Sequence, residues 1–119
     1  KVDDLLNEIR ALGNKKVTIS GGDPFLQNSA LNNLCDALHK ENYNIWIYTG
    51  YLLEDLIKQP INQSILECCD VLVDGKFIEE LKGVDNIFKG SSNQRVIKLS
   101  TYFKTLNIEE SILTFNFME

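Results

Sequence analysis

The chain has 119 residues, enough for one domain with a real core. Hydrophobic residues make up 44% and charged residues 24%, the ordinary balance of a globular protein. A formal net charge of −5 argues against a nonspecific nucleic-acid surface, and no apolar run approaches the roughly 18 residues of a membrane span.

Val2, Leu5, Leu6, Ile9 and Leu12 recur at helical spacing, with Asp3 and Asp4 in the first turn and Gly13 as a stop. A helix before any strand is an unusual start for an α/β domain, so an upstream piece is expected. Val17-Thr18-Ile19 reads as a short buried strand. Gly21 and Gly22 end it, and they carry no side chain to hold a ligand off the backbone. Asp23-Pro24 turns the chain away, and Asn28 or Ser29 is the expected cap of the next helix. Leu31, Leu34, Cys35 and Leu38 form its buried face. His39 reads as a solvated helix-end residue rather than a ligand.

Ile45-Trp46-Ile47-Tyr48 is a second strand, closed by Thr49-Gly50. A short helix over Leu52, Leu53, Leu56 and Ile57 stops before Pro60, and a broken helical segment continues to Cys69. Val71-Leu72-Val73 is the third strand, ending in Asp74-Gly75-Lys76. Phe77, Ile78 and Leu81 suggest one helical turn, residues 83–93 a loop, and Val96 to Leu99 a fourth strand. From Thr101 the pattern changes. Leu113, Phe115 and Phe117 alternate with polar neighbours and Met118, as in a strand that adds an edge to the sheet or meets another chain.

Strands alternating with helices imply an α/β fold on a parallel sheet of about four core strands, with a possible C-terminal edge strand. Such a sheet brings Ser20-Gly21-Gly22-Asp23, Thr49-Gly50 and Asp74-Gly75-Lys76 to one edge, where α/β folds bind ligands. Cys35, Cys68 and Cys69 contain no C-x-x-C spacing. Cys35 reads as a buried thiol, and the odd set fits a reducing cytoplasm. No metal ligand and no catalytic residue is assigned.

Four stretches then occur in an order that carries a resemblance: Ile19-Ser-Gly-Gly-Asp-Pro24, Ile45-Trp-Ile-Tyr-Thr-Gly-Tyr51, Asp70-Val-Leu-Val-Asp-Gly-Lys-Phe77 and Gly90-Ser-Ser-Asn-Gln-Arg-Val96. From about Val2 to Leu99 the chain resembles the radical S-adenosylmethionine activating proteins of anaerobic ribonucleoside-triphosphate reductase. The resemblance implies an incomplete radical-SAM (β/α) barrel over residues 1–100, followed by an extension over residues 101–119. It implies S-adenosylmethionine as cofactor, bound to the open iron of a 4Fe-4S cluster. One electron then cleaves its sulfur–carbon bond, and the resulting radical takes a hydrogen from a glycine of the reductase partner.

Ser20, Gly21, Gly22 and Asp23 match the turn that contacts the methionine amino group, where the family more often has glutamate than aspartate. Thr49, Asp74 and Lys76 complete the expected cofactor-binding set. The family's C-x-x-x-C-x-x-C loop is absent, so this chain alone is expected to be inactive, although the parent protein is an oxidoreductase. A non-enzymatic nucleotide-binding or protein-interaction domain of the same fold is the alternative. The loop Phe88 to Arg95 is expected at the amino end of its strand, away from the ligand edge. There Asn93 or Gln94 would fix the turn, and Arg95 would pair with a nearby carboxylate.

Overall fold

The computed structural model describes residues 2–83 and 88–114. Four strands form one sheet in sequence order: β1 (Lys16–Ile19), β2 (Asn44–Tyr48), β3 (Val71–Asp74) and β4 (Arg95–Lys98). The described helices are α1 (Val2–Leu12), α2 (Asn28–Lys40), α3 (Leu53–Leu56), α4 (Pro60–Glu67), α5 (Leu99–Thr105) and α6 (Ile108–Ser111). Single 3-10 turns cover Pro24–Gln27 and Glu79–Leu81.

The strand patterns divide the sheet into two unequal faces. Ile45 and Ile47 of β2, Leu72 of β3 and Ile97 of β4 are fully buried against Leu34 and Leu38 of α2, Ile65 and Leu66 of α4, and Leu99 and Tyr102 of α5. On the other face Val71, Val73 and Val96 form a smaller cluster with Trp46, Tyr48 and Leu113. β3 is therefore buried on both faces, which is why Val-Leu-Val-Asp shows no alternation. β1 is an edge strand. Its Val17 and Ile19 are only half-buried, and Thr18 is exposed, so the expected buried strand is corrected to a half-covered one.

β1, β2 and β3 pair in parallel, with Ile19 opposite Ile47 and Ile47 opposite Leu72. β4 runs antiparallel to β3, pairing Asp74 with Arg95 and Val71 with Lys98. The sheet is mixed, and the expectation of a wholly parallel one is corrected. A parallel return needs a crossover, usually a helix that covers the sheet. Among the described residues between β3 and β4 there is no such helix: Phe77, Ile78 and Leu81 are exposed around one 3-10 turn. Described residues from both sides of this connection meet where the Ser92 N–H donates to the Leu81 carbonyl at 2.9 Å, and β4 starts beside the carboxyl end of β3, with Arg95 opposite Asp74.

Two helix boundaries also differ from expectation. Pro24, with its fixed φ, opens a helical turn four residues early, and Asp23 caps it by accepting from the Phe25 N–H at 3.2 Å. Neither Asn28 nor Ser29 is the cap of α2, and the Asn28 amide instead donates to Asn62 Oδ1 at 3.4 Å. Pro60 begins α4 as well as ending the segment before it. Beyond β4, α5 and α6 return the chain to the sheet, where Ile112 makes an isolated antiparallel bridge with Ile97. Phe115 and Phe117 of the expected C-terminal strand lie outside the described residues.

Candidate functional site

The carboxyl ends of β1, β2 and β3 share one edge with the amino end of β4. A cavity of about 220 Å³ opens there, lined by Gly21, Asp23, Tyr48, Thr49, Gly50, Gly75, Phe77 and Gln94. Gly21 has φ +98° and Gly75 φ +99°, a region that disfavours any side chain. Nothing lies within 4 Å of a Cβ built on Gly21 or Gly22, so this turn presents open backbone.

Both strand-end carboxylates are tied to the loop that follows β2. Asp23 Oδ1 accepts from the Thr49 hydroxyl at 2.9 Å and Asp23 Oδ2 from the Gly50 N–H at 2.9 Å. Asp74 is fully buried. Its Oδ2 accepts from the Leu53 N–H at 2.8 Å, at the start of α3, and Arg95 holds the same carboxylate through Nε at 3.0 Å and Nη2 at 2.5 Å. Arg95 also reaches Glu54 of α3, at 2.6 Å from Nη2 to Oε1. These hydrogen bonds to Asp74 and Glu54 push the Arg95 guanidinium above its ordinary range. The guanidinium in turn holds the Glu54 carboxyl below its own. The Gly75 N–H donates to the Tyr51 carbonyl at 3.0 Å, so residues 49–53 are gripped along their length.

The segment before β4 closes the far side. Gln94 Oε1 accepts from the Gly90 and Ser91 N–H groups at 2.6 and 3.1 Å, while Gln94 Nε2 donates to the Gly75 carbonyl at 2.8 Å. Asn93 Nδ2 donates to the Lys76 carbonyl at 2.8 Å. The expected local tasks of Asn93, Gln94 and Arg95 are all present. The expected location of the loop is overturned: because β4 is antiparallel, its amino end lies at the same edge as the carboxyl ends of β1 to β3, and Gln94 lines the cavity.

Of the residues singled out from the sequence, Gly21, Asp23, Thr49, Gly50 and Gly75 meet at this cavity. Ser20, Gly22 and Lys76 stand exposed beside it, and Asp74 lies beneath it, engaged by Arg95 and Leu53. Tyr48, Phe77 and Gln94 are lining residues that sequence reasoning missed. Tyr48 was available from the two-residue period of β2, which sets it on the face of Trp46, opposite Ile45 and Ile47. Burial raises its phenol above the ordinary value.

The glycine turn with a neighbouring carboxylate suits an ammonium group. It suits a phosphate poorly, since Asp23 and Pro24 stand between Gly22 and the first helical turn where a phosphate would sit. The described cysteines do not suit an iron–sulfur cluster, which needs three or four thiolates converging on one point. Cys35 and Cys69 are buried, with Cys69 Sγ donating to Cys35 Sγ at 3.8 Å. That hydrogen bond and burial push the Cys69 thiol well above its ordinary range, and burial raises Cys68. Among the described residues, no group of three or more His, Cys, Asp or Glu could hold a metal ion.

These features define an α/β domain with a cavity at the edge where glycine turns end its parallel strands. Residues 1–97 match the family model described as a 4Fe-4S single cluster domain, and the chain belongs to that family. It is similar to the anaerobic ribonucleoside-triphosphate reductase-activating protein of Salmonella typhimurium, at 36% identity over 95 residues, covering 76% of this chain and 60% of that protein. The Escherichia coli K12 protein of the same name is 33% identical over 100 residues, covering 79% of this chain and 64% of that protein. The Haemophilus influenzae protein is 35% identical over 96 residues, covering 76% and 61%. The chain thus spans somewhat under two thirds of the length of these relatives. No solved structure matches it. No helix among the described residues is long and apolar enough to cross a membrane.

Proposed function

We propose that this chain is part of a glycyl-radical-generating activase that reductively cleaves S-adenosylmethionine to activate an anaerobic ribonucleotide reductase in the cytoplasm. The observation that carries the reading is the meeting of Gly21, Asp23, Thr49, Gly50 and Gly75 around one cavity, in a chain whose relatives bear the activating-protein name. Drug-sized ligands fill pockets of roughly 300–1,000 Å³, so a cavity of about 220 Å³ receives one end of S-adenosylmethionine rather than all of it. The amino-acid end fits best, beside open glycine backbone and a carboxylate. Bound there, S-adenosylmethionine supplies the radical chemistry. This chain's own residues supply a fixed floor: Gly50 and Gly75 let the backbone approach, and Gln94 holds Gly75 in place.

The cluster's ligands lie outside these residues, because the three cysteines present neither share the needed spacing nor converge on one point. This chain alone is therefore inactive. In the same reading β1 to β3 are strands of a (β/α) barrel. Helices cover their outer face, and Trp46, Tyr48 and Val73 face the inside. Residues 1–100 belong to that domain, and residues 101–119 extend it.

Anaerobic reconstitution with iron and sulfide tests the reading, applied in parallel to this chain and to the full-length gene product. The full-length protein is expected to develop cluster absorbance and to release 5′-deoxyadenosine from S-adenosylmethionine under reduction. This chain is expected to do neither. A cluster and 5′-deoxyadenosine from this chain alone would refute the proposal.

A further inference from the structure

Away from the cavity, the helix layer brings two thiols into contact. Cys35 lies on the buried face of α2 beside Leu34 and Leu38 and is 0% exposed. Cys69, just after α4, is 7% exposed, and its Sγ donates to Cys35 Sγ at 3.8 Å. The two stand 34 residues apart in the sequence. Cys68 is half-buried beside them. A single buried cysteine packs as a small hydrophobe. Two sulfurs set against each other from distant segments are also placed for a bond.

Disulfide sulfurs lie about 2.05 Å apart, so this pair has to close by about 1.8 Å. Turning each side chain by roughly 30° about its Cα–Cβ bond supplies that movement. The Cys69 end is anchored through its neighbour. The Asp70 N–H donates to the Ile45 carbonyl at 2.9 Å, Asp70 Oδ2 accepts from the Ile45 N–H at 2.7 Å, and the Asp70 carbonyl accepts from the Leu99 N–H at 3.0 Å. α2 rests on the sheet through side-chain packing. A Cys35–Cys69 bond therefore ties α2 to the entry of β3.

We propose that Cys35 and Cys69 are an oxidant-sensitive dithiol that closes under peroxide to a disulfide, stapling α2 to the sheet. The Cys69 sulfur attacks one oxygen of hydrogen peroxide. The O–O bond breaks, the thiol becomes a sulfenic acid, and one water leaves. The Cys35 sulfur then attacks the Cys69 sulfur, the S–O bond breaks, and hydroxide departs with the Cys35 proton as a second water. Two thiols and one peroxide give one disulfide and two waters, with two electrons passing from the sulfurs to the peroxide. The bond to Cys35 and burial hold Cys69 protonated, so closure is slow and needs sustained oxidant. This inference does not depend on the reading of the cavity.

The full-length gene product is exposed to hydrogen peroxide under native conditions, alkylated and digested with trypsin. In wild type and in Cys68→Ser the expected product is peptide 17–40 linked to peptide 59–76, lighter than the two together by two hydrogens. Cys68 and Cys69 share the second peptide, so Cys68→Ser assigns the bond, and its yield should stay within about two-fold of wild type. When Cys35→Ser is added to Cys68→Ser, the linked peptide should vanish and Cys69 should gain two oxygens, because no thiol captures its sulfenic acid. In the oxidised wild type, amide exchange across α2 should slow about three-fold.

Absence of the linked peptide from Cys68→Ser, while its other thiols oxidise, would overturn the proposal. So would unchanged exchange in α2, or a mixture of pairings with cysteines elsewhere in the gene product, the mark of oxidation after unfolding. Should the double variant fail to fold, Cys68→Ser decides alone, since it alters only the half-buried thiol.

Discussion

Replacing Arg95 by alanine separates the buried from the exposed half of one ion-pair cluster. The Asp74 side chain is fully inaccessible, whereas the Glu54 side chain is 51% exposed, and Arg95 bridges them. In Arg95→Ala, Asp74 keeps the Leu53 N–H at 2.8 Å and loses both guanidinium contacts. Breaking a buried pair by removing one partner costs ~3–5 kcal/mol. Arg95 is itself 24% exposed, so its removal admits some water to Asp74 and favours the lower end, about 3 kcal/mol. At about 3–6 °C per kcal/mol for a domain of this size, the thermal midpoint should fall by roughly 9–18 °C. Glu54→Ala should cost about 0–1 kcal/mol, because that pair is solvated. Arg95→Lys should recover only part of the loss, since one ammonium cannot make the forked contact with Asp74 and reach Glu54 as well. Urea unfolding of the full-length protein, followed by Trp46 fluorescence, reads these differences. Equal costs for Arg95→Ala and Glu54→Ala, or full recovery by Arg95→Lys, would show that Asp74 does not depend on the fork.

The same cluster predicts an acid-sensitive component of stability. Arg95 lowers the folded-state carboxyl of Glu54, so its contribution is fully present above the unfolded value of about 4.3 and is lost as pH falls through the lowered one. Urea midpoints between about pH 5 and 2 should therefore fall less steeply in Glu54→Gln than in wild type. Gln94→Ala removes the bonds to Gly90, Ser91 and Gly75, and should cost about 1–2 kcal/mol with faster amide exchange at Gly90 and Ser91. Ile47→Ala, in the fully buried core beneath the site, should cost about 2–5 kcal/mol in the same urea assay. A Cβ on Gly90 would meet the Phe77 ring at 2.8 Å, but that ring is 46% exposed and can turn away. Gly90→Ala should thus change stability by less than about 1 kcal/mol while altering S-adenosylmethionine affinity through the displaced lining ring.

The strands and major helices were legible because each is bounded by a local signal. Gly13 ends α1, the β-branched and aromatic run marks β2, and the continuous apolar Val71-Leu72-Val73 marks a strand buried on both faces. The direction of β4 was not legible. Val96-Ile97 reads the same in either direction, and the described residues between β3 and β4, 75–83 and 88–94, form no covering helix that would mark a parallel return. That one reversal moved Gln94 from the far end of the sheet into the cavity wall. Asp23 and Asp74 were visible as carboxylates at strand ends, but their partners, Thr49 and Gly50 for one and Leu53 and Arg95 for the other, lie more than twenty residues away. No local pattern reports a bond of that range.

Two carboxylates acting on one loop explain why a short chain can hold a defined cavity edge. Residues 49–52 form no regular structure, and their ladder bonds end with the Thr49 N–H donating to the Val73 carbonyl at 3.0 Å. Left alone, such a loop would sample many conformations, at an ordering cost of about 1–2 kcal/mol per residue on binding. Asp23 fixes its first two residues from the β1 side, and Asp74 fixes its exit into α3 from the β3 side. The ordering is thereby completed at folding, and a ligand entering the cavity does not have to supply it. The antiparallel β4 is part of this arrangement, because it sets Arg95 opposite Asp74 in the ladder and so keeps a buried carboxylate ionically paired beneath the loop it steadies.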